Sequence, residues 1–467
     1  MNKNISVFYY FLIFIIFSGC SIDNMNTTGY WNGFKKEKDK VDKIFQQQNP
    51  TQKIKLYSSE NIFDKEINPS RKIILSKAKK NISWQMSGMN LQNYLGNIYF
   101  SGADNIFLKK KIGKNKFSLS KNISSPLIFE DNIIFSDDTG TIFNINPLGK
   151  VIWKKNIYKK LYKKIYKTLT LSIYESDLYA ADNLGFIYKI NLKNGQIIWL
   201  KNHGIPLKSN LKIFKGKLFI INQDNRVLCF DTKEGALLWD LRSVSSFIKS
   251  QGFLSLAISK EEDLIVLNSA GDLIKIKSQN GRVYWTLGTL FSLYAHDTDF
   301  FSSSNIVVID NEIIFSTSSF TFSFDLESGQ LNWRTAVGST NTPIIDKDNI
   351  FLVSNNGYLV NLDKESGDII FSKNILNFLK KKDWNKFFTT PFYALDTKVA
   401  ISKITGAIMG SGKIYATSLN GYLIICSAVT GEIEGYKKIA DMITAPLVIS
   451  KGSLYVLTEK SRIIGFN

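Results

Sequence analysis

At 467 residues, 44% of them hydrophobic and 21% charged, the chain carries enough apolar material for a large core, which excludes an intrinsically disordered protein. The formal net charge of +19 raises an anionic partner, either nucleic acid or a membrane surface. The excess is mostly lysine scattered beside Asn and Ile, and no basic-aromatic recognition motif accompanies it, so a nucleic-acid function is set aside.

Residues 1–19 predict an export signal. Lys3 gives a thin positive start, Val7 to Phe17 is an apolar run, and Phe17-Ser18-Gly19-Cys20 places small residues before a cysteine. The run falls short of the roughly twenty apolar residues that span a bilayer. The four residues around Cys20 resemble a bacterial lipobox, with Phe17 where Leu or Val is more usual. That resemblance implies cleavage before Cys20 and lipidation of its sulfur and amino end, and several acyl chains anchor stably. Ser21 stands where an Asp marks inner-membrane retention in enterobacterial lipoproteins, so the expected location is the periplasmic face of the outer membrane.

Residues 20–80 predict a lipidated N-terminus and flexible tether: a charged run from Lys35 to Lys43, then Gln46-Gln47-Gln48, Pro50 and Pro69, with no sustained apolar pattern. Residues 81–103 precede the repeats. Within them Leu95-Gly-Asn-Ile-Tyr-Phe100 imitates one strand of a repeat, but no glycine-framed strand follows it.

From about residue 124 the chain repeats itself. Gly149-Lys-Val-Ile-Trp153, Gly195-Gln-Ile-Ile-Trp199, Gly235-Ala-Leu-Leu-Trp239, Gly281-Arg-Val-Tyr-Trp285 and Gly329-Gln-Leu-Asn-Trp333 share one spacing. Gly367-Asp-Ile-Ile-Phe371 keeps it with Phe, and Gly431-Glu-Ile-Glu-Gly435 keeps the frame without the aromatic. Glycine suits a turn that needs a positive φ, and a large flat side chain suits a gap between sheets. A second signal, a polar turn before an apolar strand, opens at Ile133, Leu178, Leu218, Leu264, Ile313, Ile350, Ile414 and Leu454. The repeat spacing of about 40 to 48 residues is that of four-stranded propeller blades. The expected fold is therefore all-β: an eight-bladed β-propeller of four-stranded antiparallel blades over residues 104–467. The tail, Arg462-Ile-Ile-Gly-Phe466, ends one strand short, and Asn105 to Ile112 is the candidate that closes the ring from the N-terminal side.

Two stretches break the rhythm: the 376–403 insertion, with Trp384, Phe387 and Phe388, and the linker from Arg242 to Gly252. Long loops on a rigid frame are where binding usually resides. Catalytic motifs are missing: no GxSxG, HExxH or phosphate loop occurs. His203 and His296 lie far apart, and Asp297 with Asp299 forms a short acidic loop that lacks the length and closing Glu of an EF-hand. Cys229 and Cys426 sit in separate apolar runs and read as buried thiols, with no zinc spacing. No cofactor or metal is expected.

The Gly-x-x-x-Trp strands resemble the repeats of pyrroloquinoline-quinone (PQQ) enzymes. With the lipobox, the length and eight repeats, the chain is similar to the BamB family of the outer-membrane β-barrel assembly machinery. Its α-proteobacterial branch is matched by Trp84-Gln-Met-Ser-Gly88-Met-Asn90 and Gly96-Asn97. The resemblance implies a non-enzymatic scaffold that docks on periplasmic POTRA domains of the barrel-forming subunit and helps present unfolded outer-membrane proteins. It implies docking residues at Phe247, Ile248 and Lys249, where Lys replaces a usual Arg, and at Asp297 and Asp299. Two alternatives stand beside it. One is a PQQ-dependent dehydrogenase, whose family pattern needs adjacent cysteines and a calcium ligand set. The other is a periplasmic glycan- or peptidoglycan-binding propeller using the insertion's aromatics.

Overall fold

The computed structural model describes residues 63–114, 116, 124–242, 254–289, 302–354, 356–379 and 403–467. Among them the chain forms eight four-stranded antiparallel sheets, arranged as the blades of a propeller. Blade 1 runs from Leu127 to Asn156, blade 2 from Leu169 to Asn202, blade 3 from Lys212 to Arg242 and blade 4 from Ser255 to Gly288. Blade 5 runs from Val307 to Thr335, blade 6 from Ile344 to Asn374 and blade 7 from Ile404 to Lys438. Each begins at an innermost strand and ends at an outermost one. Blade 8 takes Val448–Ser450, Ser453–Leu457 and Arg462–Phe466 from the C-terminus and its outer strand, Ile106–Lys111, from the N-terminal side. The predicted closing strand is thus in place.

All eight predicted openings fall in second strands, and burial explains why those strands read as apolar runs. In the blade 3 strand Lys217–Ile221, Leu218, Phe219, Ile220 and Ile221 are all fully buried. Leu218 and Ile220 pack with Tyr179 and Ile187 of blade 2, whereas Phe219 and Ile221 pack with Leu256 and Ile258 of blade 4. A blade has neighbours on both faces, so strict apolar-polar alternation is lost.

The glycine-framed strands form the joints. In the blade 3 outer strand, Cys229 opposes Trp239 and Phe230 opposes Leu237, which leaves Leu238 as an extra residue. The same bulge recurs just before Trp153, Trp199, Trp285, Trp333 and Phe371. A bulge re-aims the side chain that follows it. Here each indole is turned onto the next blade, where its Nε1–H donates to a backbone carbonyl. Trp153 reaches Leu192 at 2.8 Å, Trp199 reaches Thr232 at 3.2 Å and Trp239 reaches Ser278 at 3.3 Å. Trp285 reaches Glu327 at 3.1 Å and Trp333 reaches Lys364 at 2.8 Å.

The framing glycine therefore has two jobs. Gly281 has φ +76°, and a Cβ there would lie 2.9 Å from the Trp239 ring. Its turn needs the left-handed conformation, and its neighbour needs the space.

At the blade 6–blade 7 joint Phe371 takes the indole's place against Gly431, and the other two joints without an indole follow from the closure. Blade 8 has no turn between its third and fourth strands, because these come from opposite ends of the chain. Asn105 and Asn467 pair there through two backbone hydrogen bonds instead. Blade 7 thus has no glycine turn ahead of it, and Gly435, at the aromatic position, faces open space. The closing strand copies the bulge at Phe107 and seats Leu108, with the Lys110 stem, on Gly149 of blade 1.

These contacts set up a contrast. Gly281→Ala should destabilise the propeller by about 2–4 kcal/mol, combining left-handed strain with overpacking against Trp239. Gly435→Ala should change stability by no more than about 0.5 kcal/mol. Denaturant unfolding of both variants reads the difference directly.

Candidate functional site on the connection face

The strand order gives the ring two unlike faces. Connections from each outermost strand to the next innermost strand all lie on one, here the connection face. Hairpins between first and second strands, and the glycine turns, lie on the other, the hairpin face.

The hairpin face is closed by the chain itself. From residue 63 the expected tether is packed: Ile67 N–H donates to the Ser372 carbonyl at 2.8 Å, Ser372 returns a bond at 2.9 Å, and Arg71 pairs with Asp363 at 2.8 Å. Residues 76–101 then cross the ring and bond to every blade. Trp84 exchanges two backbone bonds with Ile128 of blade 1, and Gln85 accepts from Ile173 of blade 2. Leu91 and Gln92 accept from Ile258 of blade 4 and Val308 of blade 5. Ser76 bonds to Asp346 of blade 6, Ile98 to Met409 and Ser411 of blade 7, and Asn81 to Ile449 and Lys451 of blade 8. The strand-like stretch from Leu95 to Phe100 belongs to this cap and to no ninth blade.

Blade 3 supplies the latch. Lys212 is fully buried, and its Nζ donates to the carbonyls of Ser87 at 2.8 Å and Asn90 at 2.6 Å and to Asn93 Oδ1 at 2.7 Å. Asn93, also fully buried, donates in turn to the carbonyls of Leu256 and Ile306. No carboxylate bonds to the Lys212 ammonium, and burial pushes its pKa down to about 7. The sequence offered no signal for this role, since Lys212 looks like any other lysine of a lysine-rich chain.

The connection face carries the predicted docking residues only by position. Phe247, Ile248 and Lys249 fall in the connection from blade 3 to blade 4, and Asp297 and Asp299 in that from blade 4 to blade 5. All five lie outside the described residues, as do Cys20, His296 and the insertion aromatics Trp384, Phe387 and Phe388. The described residues that bound these two connections, Arg242 and Leu254, and Thr289 and Ser302, lie on either side of blade 4 in sequence. The repeat residues Trp153, Trp199, Trp239, Trp285 and Trp333 occupy the joints.

The remaining chemistry-bearing side chains are used structurally. His203 shares a hydrogen bond with Asn222 at 3.2 Å, and its pKa is lowered by burial and the nearby Arg226. Cys229 and Cys426 are buried on blades 3 and 7, and burial pushes each thiol up to about 12. Such thiols are poor nucleophiles. The adjacent cysteine pair of the dehydrogenase pattern is missing, and the described residues hold no group of three or more metal-ligating side chains. These residues do not fit a quinone cofactor with its calcium.

Residues 138–373, from blade 1 through blade 6, match the family profile described as outer membrane protein assembly factor BamB. The chain belongs to the BamB family. A relative from Yersinia pestis, named outer membrane protein assembly factor BamB, is 22% identical over 236 residues, covering 49% of this chain and 60% of its own. The crystal structure of BamB from Moraxella catarrhalis superposes with a TM-score of 0.59 at 12% identity, covering 77% of this chain and 100% of that one. The quinohemoprotein alcohol dehydrogenase of Comamonas testosteroni superposes equally well, with a TM-score of 0.61 at 10% identity over 83% and 81% of the two chains. Family proteins and dehydrogenases thus share the propeller, and the fold alone does not separate them.

The Lys212 latch has a pH signature. The unfolded chain keeps this proton up to about pH 10.5, whereas the folded chain releases it near 7, so folding releases a proton within that window. Stability should therefore rise with pH between those values. Lys212→Met should remove that part of the slope, seen as the difference between the two proteins' denaturation curves across pH. It should also speed hydrogen exchange at residues 84–93.

Proposed function

We propose that this chain is a non-enzymatic scaffold lipoprotein of the outer-membrane β-barrel assembly machinery. It is anchored through Cys20 on the periplasmic face of the outer membrane, following a cleaved signal over residues 1–19. It docks on POTRA domains of the barrel-forming subunit and aids insertion of outer-membrane proteins. One observation carries the reading: the stretch matching the family, residues 138–373, contains both connections that flank blade 4.

The physical case is one of division of labour. A ring held at its joints by packed contacts fixes the described ends of its connections, which lowers the entropy cost of docking. The hairpin face is occupied by the chain's own residues 76–101, which leaves the connection face for partners. Phe247 and Ile248 supply apolar contact, Lys249 a cation, and Asp297 and Asp299 two carboxylates for a basic partner surface. The segment around Ile67 meets the blade 6 outer strand through an antiparallel bridge to Ser372, which supports an outer edge that can take a further chain. Other outer strands present exposed apolar pairs, among them Ile197 with Ile198 and Leu237 with Leu238, that suit an unfolded outer-membrane protein.

Affinity purification from detergent-solubilised membranes should recover the barrel-forming subunit with this chain. Asp297→Arg combined with Asp299→Arg should lower that recovery at least about tenfold, as expected when a close charge pair becomes a like-charge contact, while thermal unfolding stays unchanged. Full recovery would remove these two residues from the docking surface. Adding pyrroloquinoline quinone with calcium should produce no bound-cofactor absorbance; its appearance would replace the scaffold reading with an enzymatic one.

A further inference from the structure

The lysine excess is concentrated by the fold. Residues 139–174 contain eight lysines and no carboxylate, and residues 105–129 contain six more and again none. These stretches form neighbouring blades. The outer strand of blade 8, Ile106–Lys111, ends in three lysines, and that of blade 1, Val151–Asn156, carries Lys154 and Lys155. Leu108 on Gly149 holds the two blades together. Both strands run toward the connection face, and there the 3₁₀ helix Lys160–Lys164 follows blade 1, with Lys159, Lys160 and Lys164 exposed.

Across the ring the balance differs. The outer strand of blade 3, Leu237–Arg242, pairs its Asp240 with Arg226, and that of blade 4, Val283–Gly288, has no charged residue. Basic charge is thus placed on one side of the ring.

Two further observations suit an anionic partner. Lys109 to Lys111, Lys154, Lys155, Lys159, Lys160 and Lys164 form no ion pair with any carboxylate among the described residues, whereas Lys460 at the edge of this field pairs with Asp441. Asp137 and Asp138 of blade 1 are buried and accept the backbone N–H groups of Lys114 and Lys116. Second, Leu161 stands in the midst of the lysines at 80% exposure, with Ile165 at 43%. An apolar side chain in that setting gains nothing from water and would gain from an acyl boundary.

We propose that the blade 8–blade 1 rim of the connection face, lysines around an exposed Leu161, is a docking surface for an anionic phospholipid bilayer. A bilayer fits better than an acidic protein. The lysines lie on separate strand ends and a short helix, forming a broad field without a groove. Lysine supplies nearly all of the charge, with half-buried Arg462 opposite Lys111 the exception among the described residues, although arginine is the cation that anchors protein interfaces. Lysines near an anionic leaflet act additively without fixed geometry. Blade 8 lies opposite blade 4, so this surface stays free when the connections flanking blade 4 are engaged. The inference does not depend on the identity of that partner.

The test places an environment-sensitive fluorophore on the full chain at Leu161→Cys; Cys229 and Cys426 are buried and take little label. The labelled chain is mixed with vesicles of phosphatidylcholine alone or with phosphatidylglycerol added. Probe emission is read rather than total binding, so an anchor elsewhere in the chain does not mask the result. A blue shift with phosphatidylglycerol only is expected, reversed at about 1 M salt, where the screening length falls to about 3 Å. The combined Lys154→Glu, Lys155→Glu, Lys159→Glu and Lys160→Glu variant should lose the shift. Equal emission in both vesicle types overturns the proposal. So does a shift that survives salt and charge reversal, or one produced only by an acidic polypeptide such as polyglutamate.

Discussion

The ring depends on one repeated contact: an aromatic side chain from one blade lying flat on the glycine turn of the next. Each partner is specified by a separate constraint. The bulge before the aromatic aims it out of its own sheet, and the left-handed turn puts a residue without a side chain opposite it. The indole N–H then closes on a carbonyl of the same turn, so a half-buried polar group is satisfied in the act of packing. Because the contact always points from one blade to the following one, it sets direction as well as distance around the ring.

That directionality explains features that look like decay in the sequence. Blade 7 has Gly435 where an aromatic is expected, and seven framed strands face eight repeats. Both follow from building blade 8 out of two chain ends. Its missing turn leaves nothing for a blade 7 aromatic to rest on, while its borrowed outer strand must still meet Gly149 and does so with Leu108. Leucine fills part of the space an indole would take and donates no hydrogen bond.

Most of this architecture was legible because it is periodic. The framing glycines, the second-strand openings and the segment from Asn105 to Ile112 located every blade and the closing strand. The cap over the hairpin face was not legible, because residues 76–101 give each blade only one or a few hydrogen bonds and so leave no periodic trace. Lys212 was hidden for another reason: its partners are backbone carbonyls and Asn93, more than a hundred residues away. The basic rim was likewise dismissed as general lysine enrichment, since only the fold sets Lys109–Lys111 beside Lys154 and Lys155. Phe247, Ile248, Lys249, Asp297 and Asp299 rest on family resemblance and lie outside the described residues.

The strand that completes blade 8, Ile106–Lys111, pairs with Arg462–Phe466, and the other seven blades lie between the two in sequence. The circle therefore cannot shut until these two segments meet, so closure waits on a contact between strands far apart in sequence. Pairing across some 350 residues makes that final step slow by nature. A protein built this way stakes its closure on one long-range pairing, whereas a sandwich whose last strand lies beside the one before it closes locally.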